Sequence, residues 1–411
     1  DLKMVCDWRY DGKSIRSFSD PITGKVKSRP QNTDYFYRAG YSWPLRASRF
    51  SPAVLPKGTI FSVRSMSAFV PVNQTGAYIA ISCSSVFDSI YKLKLGRFGH
   101  PEFQAGIANV LPIPFDNLEQ NIGALTGYFQ SGYQNSVSPY LHDETSRLFS
   151  SCWFEFLGGQ GIKNAVENYK IYSKKLTLDV ESLQEKVDKI SLEIYELEER
   201  DLPSERLQNK WHTVTGLPVD LEGNISEFIV KDLLSYLFGK MFGRYKNLQQ
   251  ELVKRAPFSA LPVPELHNSK IQITDFKNGI EKLLVKGIAP VGSNFSLNSI
   301  EQLSAMLESM SINNESLHED VLTSLGINEL SRYFIKDSGF FDYHLSQYSA
   351  SSRIAPIYLP LCSSSGNFVI WLFYPKLERS TLFTVLNDVI EPTVISLEQS
   401  YAASKAGNKT P

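Results

Sequence analysis

Several kinds of chemistry are missing from these 411 residues. Only four cysteines occur (Cys6, Cys83, Cys152, Cys362), with no CxxC pair and no metal spacing. That excludes a disulfide scaffold or zinc ribbon and suits reduced thiols in a cytoplasm. The six histidines are scattered and form no HExxH pair, so zinc-hydrolase chemistry has no support. Neither GxxxxGK[ST] nor GxSxG is present. No apolar run is long enough to span a bilayer, so no membrane partner is expected. The opening "DLKMVCDWRYDGK" lacks the apolar stretch of a signal peptide and an initiating Met, as expected of a fragment or a processed product. One glycine cluster, "FLGGQG" at 156–161, has no clear strand before it and reads as a loop entering a helix.

One further absence concerns methylation. An amino-methyltransferase acting on DNA holds its flipped base in an [Asn/Asp/Ser]-Pro-Pro-[Tyr/Phe] loop, where the polar group takes the amine and the ring stacks. The sequence contains no Pro-Pro dipeptide, so no such loop can be written. No catalytic residue, bound cofactor or metal is expected in this chain.

Apolar residues make up 42% and charged residues 21%, as in ordinary globular proteins. The net charge of −1 averages two unlike regions. Residues 1–110 carry 15 Lys and Arg against 7 Asp and Glu, whereas the remainder carries 27 against 36. A basic segment on a nearly neutral chain points to a polyanion-facing surface. Its densest part is "YRAGYSWPLRASRFSPAVLPKG", residues 37 to 58, where four cations stand among four aromatic rings with no carboxylate.

The pattern predicts an α+β chain in three parts. Residues 1–130 read as a β-rich recognition domain, with "GTIFSVRSM", "SAFVPV" and "AYIAIS" as strands. Residues 131–250 read as a long helical spacer. Within it Leu176, Val180, Leu183, Val187, Ile190, Ile194 and Leu197 make a heptad stripe, extended backward through Tyr169, Val166 and Ile162, with Pro203 as the stop. Residues 251–411 read as an α-rich domain. It begins at the linker "PFSALPVPEL", is largely helical over 270–345, holds a hairpin around "CSSSGN", and closes on a helix from "TLFTVL" to "EQSY".

The stretch "YFYRAGYSWPLRASRFSPAVLPKGTIFSVRSMSAF" (35–69), preceded by "KSRPQNTD", resembles the target-recognition domain of large adenine-specific DNA methyltransferases. The resemblance is to the PglX methyltransferases of bacteriophage-exclusion (BREX) systems and the related type IIG restriction-modification enzymes. It continues in order through "AYIAISCSSVFDSIYKLKL", "PEFQAGIANVLPIP", "VDKISLEIYEL", "LLSYLFGKMFGRYK" and "APIYLPLCSSSGNFVIWLFYPKLERSTLFTVLNDVIEP". Two positions depart: Ser84-Ser85 stands where the family has Asn-Ser, and Tyr195-Glu196-Leu197 where it has Tyr-Gly-Leu. The family's amino-terminal half, with its S-adenosyl-L-methionine pocket and Pro-Pro loop, has no counterpart here.

The resemblance implies the specificity half of an adenine-N6 methyltransferase used in phage defence or restriction-modification. Its partners would be double-stranded DNA and a separate catalytic domain carrying S-adenosyl-L-methionine. A duplex reader needs cations for phosphates and planar or small polar groups for base edges. Arg46 and Arg49 are assigned to base or phosphate contact, Ser48 and Ser51 to hydrogen bonding, and Arg38 and Ser42 to the same motif. Lys57, Arg64, Lys92, Lys94 and Arg97 are assigned to backbone neutralisation. Trp43, Phe61 and Phe69 are expected to pack, the latter two as buried strand residues, and Gly239, Gly243 and Arg244 to shape a helix junction. Two alternatives stay open: a free-standing specificity subunit of a multi-subunit restriction system, and a defence scaffold that reads no DNA.

Overall fold

The computed structural model describes residues 6–28, 30–62, 64–97, 99–146, 148–202, 217–245, 271, 276, 279–311, 316–350 and 353–407. Pro203 and the "PFSALPVPEL" linker lie outside them. The fold mixes helices with small antiparallel sheets, in the α+β class. It divides into two compact units, the described residues of 1–140 and 173–217 in one and those of 141–172, 218–249 and 266–411 in the other. No helix among the described residues is long and apolar enough to cross a membrane.

In the first unit, β1 (Gly40–Pro44) is flanked by β2 (Ala53–Leu55) and β3 (Ser65–Ala68), all antiparallel, in the order β2-β1-β3. Tyr41 lies opposite Val54 and Ala68, and Trp43 opposite Met66. Alternation along β1 puts Trp43 into an aromatic core with Phe50, Phe87, Tyr91 and Phe103. Trp43 is 3% exposed, and its Nε1–H donates to the Phe103 carbonyl at 2.8 Å. The ring packs rather than faces solvent.

The expected β-rich character is corrected here. Strands in this region are short, and "AYIAIS" forms α1 (Thr75–Ser82), buried on nearly every side. A short apolar run without a period is compatible with either a buried strand or a buried helix, and small residues decide it. A side chain at Gly76 would meet the Phe129 ring at 2.6 Å, so α1 lies close against α3 (Phe115–Val137). Helix α2 (Ser85–Leu95) starts where Ser84 Oγ accepts the Phe87 amide, and stops at left-handed Gly96. Phe61 and Phe69 are also corrected. Both are half-buried outside the strands, in ring contact with each other.

Helix α4 (Ile162–Tyr195) carries the heptad stripe from Ile162 to Ile194 and ends before Leu197, which the sequence pattern includes. Its residues from 173 onward belong to the first unit. There Leu176, Val187, Ile190 and Ile194 are buried, the last two with Leu118 and Leu125 of α3. Asp188, beside this seam, accepts the Ser85 amide at 2.7 Å and so ties α4 to the start of α2.

In the second unit, α5 (Ile225–Met241) is buried along most of its length. The hairpin around "CSSSGN" forms as expected, β5 (Tyr358–Cys362) against β6 (Val369–Phe373). A strand missed in the 270–345 region, β4 (Ile288–Val291), covers the other side of β6. "IAPV" is a four-residue apolar run with no alternation because both faces are buried. Phe238, Phe334, Phe340, Tyr358 and Trp371 fill the space between α5 and this sheet.

Candidate nucleic-acid interface

Two basic groups stand at the two ends of β1. At its start, the turn holding Lys57 is bonded to the chain before the strand: Gly58 N–H donates to the Tyr37 carbonyl, and Tyr37 N–H to Thr59. The neighbouring Arg38 lies over the Tyr35 ring at 4.9 Å. At its end, Leu45 N–H donates to the Arg64 carbonyl at 3.0 Å, which brings Arg64 beside Arg46. At ~3.3 Å per residue, Arg38 and Arg46 are separated by at most roughly 26 Å, about seven or eight base-pair steps.

The basic residues divide by burial. Arg38, Arg46, Lys57, Arg64, Lys94 and Arg97 are exposed, as are Ser48 and Ser51. Ser42 is half-buried on β1, its hydroxyl 2.7 Å from that of Ser65 across the sheet. Arg49 is half-buried and close enough to Lys92 for its charge to act there. Arg97 donates from Nε to the Gly99 carbonyl. Lys57, Arg64 and Lys94 have no carboxylate partner among the described residues.

Lys92 requires a correction. It is 2% exposed, its Nζ lies 3.1 Å from Asp88 Oδ2, and it donates to the Ser48 carbonyl at 2.6 Å. Burial, with Arg49 nearby, pulls its pKa down to about 8. It therefore stays cationic at neutral pH and is spent inside the fold. Asp88 Oδ1 also accepts the Phe50 amide at 2.9 Å. Together Asp88 and Lys92 hold both ends of the "SRF" turn that presents Ser48 and Arg49.

Sequence reading missed a second carboxylate. No acid stands within residues 37 to 58, yet Glu102 reaches Arg46 from 56 positions away. Arg46 Nε donates to Glu102 Oε1 at 2.7 Å. The hydrogen bond from Arg46 and then its charge, with Arg97 adding to the field, hold the Glu102 carboxyl below its ordinary range. The only sequence signal was negative: Glu102 is the lone acid between Asp88 and Asp116.

The second unit explains "SYLFGKMFGRY" without DNA. Ser235 Oγ, Tyr245 Oη and Arg244 Nη1 all donate to the Glu144 carboxylate, at 3.0 to 3.2 Å. Gly239 lies under the Tyr245 ring, where a Cβ would sit 2.8 Å from it, and Gly243 takes the left-handed conformation (φ 70°) that ends α5. The network borders a cavity of about 590 Å³ walled by Phe242, Tyr348 and Phe373. Among the described residues, no group of three or more His, Cys, Asp or Glu side chains could hold a metal ion.

The chain is 21% identical over 413 aligned residues to an adenine-specific methyltransferase PglX of Lacticaseibacillus casei (strain Zhang). The alignment takes in 98% of this chain. It covers 32% of that protein, so the chain spans about a third of its relative's length. It is a likeness to a methyltransferase-related family. No protein-family model matches the chain.

Proposed function

We propose that this chain recognises duplex DNA by sequence on behalf of an adenine-N6 methyltransferase, in phage defence or restriction-modification. The observation that carries the reading is the span of the likeness. Nearly the whole chain aligns with a third of a methyltransferase, and that third here contains no Pro-Pro loop. What such an enzyme needs besides its catalytic loop is a means of choosing the adenine.

The first unit supports this physically. Its exposed cations stand at both ends of a short sheet backed by a packed aromatic core. Phosphates are met by unpaired cations, and base edges by side chains on a scaffold that does not yield. Methyl transfer itself would draw on S-adenosyl-L-methionine held by the catalytic part, with none of the residues described here touching it.

The test is binding of the purified chain to a random-sequence duplex library, followed by salt titration on the selected site. Enrichment of one sequence family and a steep fall of affinity with salt are expected, because each phosphate contact releases counterions. Salt-insensitive binding without enrichment would favour a protein scaffold instead.

A further inference from the structure

Arg46 is held in a particular way. Glu102 Oε1 accepts Nε–H at 2.7 Å and lies 2.5 Å from Nη2, both on one edge of the guanidinium plane. The distal edge, carrying Nη1 and the second Nη2 hydrogen, bonds to nothing else among the described residues. The side chain is 77% exposed. A guanidinium carries five N–H donors in one plane, and guanine O6 and N7 accept two of them side by side. The pairing with Glu102 thus fixes the plane and leaves that fork open.

The backbone beneath is fixed as well. Arg46 and Glu102 face each other in an antiparallel bridge. Next to it, Phe103 N–H donates to the Leu45 carbonyl at 2.7 Å. Trp43 and Phe103, one on each strand, are buried in the same aromatic core. An arginine free to rotate would lose that freedom on meeting a base; the pairing with Glu102 reduces what is left to lose.

We infer that Glu102 is a positioning residue for base recognition, holding the Arg46 guanidinium as a preset fork for a guanine in the major groove. The inference rests on the DNA-reading role proposed above. The ion pair is neutral, so it adds discrimination and almost no counterion release, unlike Lys57 or Arg64. Its carboxylate cancels the attraction that the Arg46 charge would otherwise have for phosphates on every sequence, so the pair gains only where a guanine meets the fork. Removing Glu102 should therefore weaken specificity and strengthen indiscriminate binding at the same time, which a merely structural surface ion pair would not do.

The experiment uses the full chain, selection from a random-sequence duplex library, and salt-titrated binding to a scrambled duplex. For Glu102→Ala, preference for guanine at one position should fall by about tenfold or more. Affinity for the scrambled duplex should rise and the salt slope steepen by about one. Glu102→Gln keeps an acceptor for Nε without the charge. It should retain most of the preference while steepening the slope, and it separates positioning from loss of fold. Arg46→Lys should lose the preference, since an ammonium cannot fork.

Unchanged preference at every position in Glu102→Ala would overturn the inference while leaving DNA reading intact. So would an Arg46→Ala, Glu102→Ala double variant, which removes the neutral pair as a unit, that keeps the parental guanine preference at every position. A parental chain that binds all sequences alike overturns the inference and the reading on which it rests.

Discussion

Lys92 Nζ lies 3.1 Å from Asp88 Oδ2, with both side chains almost wholly out of solvent. Breaking such a pair leaves one charge buried without its partner, which costs ~3–5 kcal/mol. Lys92→Ala should therefore lower stability by about that much in urea unfolding, with the loss seated in the turn around Phe50. Replacing both residues, with Asp88→Asn and Lys92→Met, should recover a large part of it. A Lys92→Ala variant with parental stability and weakened DNA binding would return this residue to the interface.

The exposed cations should behave oppositely. Lys57→Ala and Arg64→Ala remove charges that carry no carboxylate partner among the described residues. Each should leave the melting temperature nearly unchanged, lower affinity for every duplex alike, and reduce the salt slope by about one. Fluorescence anisotropy over a range of salt concentrations separates this from any change of sequence preference.

The α4 seam gives a stability prediction. Ile190 is buried against α1 and α3, whereas its neighbour Lys189 is exposed. Ile190→Ala should cost ~2–4 kcal/mol, through lost burial and the cavity left behind, and Lys189→Ala ~0.5 kcal/mol or less. Equal unfolding midpoints for the two variants would contradict the packing described here.

Acid should act on the second unit through His344. Its ring is buried against Tyr348 and Phe340, and Nε2 accepts the Ile357 amide at 3.0 Å. Burial, with Arg244 nearby, lowers its pKa to about 3. The unfolded chain takes up this proton as pH falls through ~6.5, and the folded one does so only near the lowered value. Stability from this group is thus complete above about pH 7 and lost progressively on acidification. Between pH 7 and 5 the loss should be about 2 kcal/mol, and His344→Gln, which keeps an acceptor for Ile357, should reduce it. An identical pH dependence in variant and parent would rule this out.

Some elements were legible in the residues alone, and these depend on near neighbours. The seam of α4 follows from a 3.5-residue repeat that one helix face must bury, and the β5–β6 hairpin from two apolar runs around a polar turn. Trp43 could be assigned to packing because a large ring beside a proline, here Pro44, more often fills a core or loop than wedges between bases. Gly243 and Arg244 could be assigned to a junction because glycine readily takes the left-handed turn that ends a helix.

Tertiary structure decided the rest. "AYIAIS" and "IAPV" are both short runs buried on more than one side, so neither has the period that separates helix from strand. One became α1 because Gly76, Ala77 and Ala80 let it lie close to α3; the other became β4 because β6 had an open edge. The same holds for charge. Residues 37 to 58 contain no acid, and the sequence predicted from this a row of free cations. Folding brought Glu102 to Arg46 and Asp88 to Lys92, and left Lys57 and Arg64 exposed. Composition determines how many charges a segment carries. Which of them meet a partner depends on distances of a few ångströms, and only the packed chain sets those.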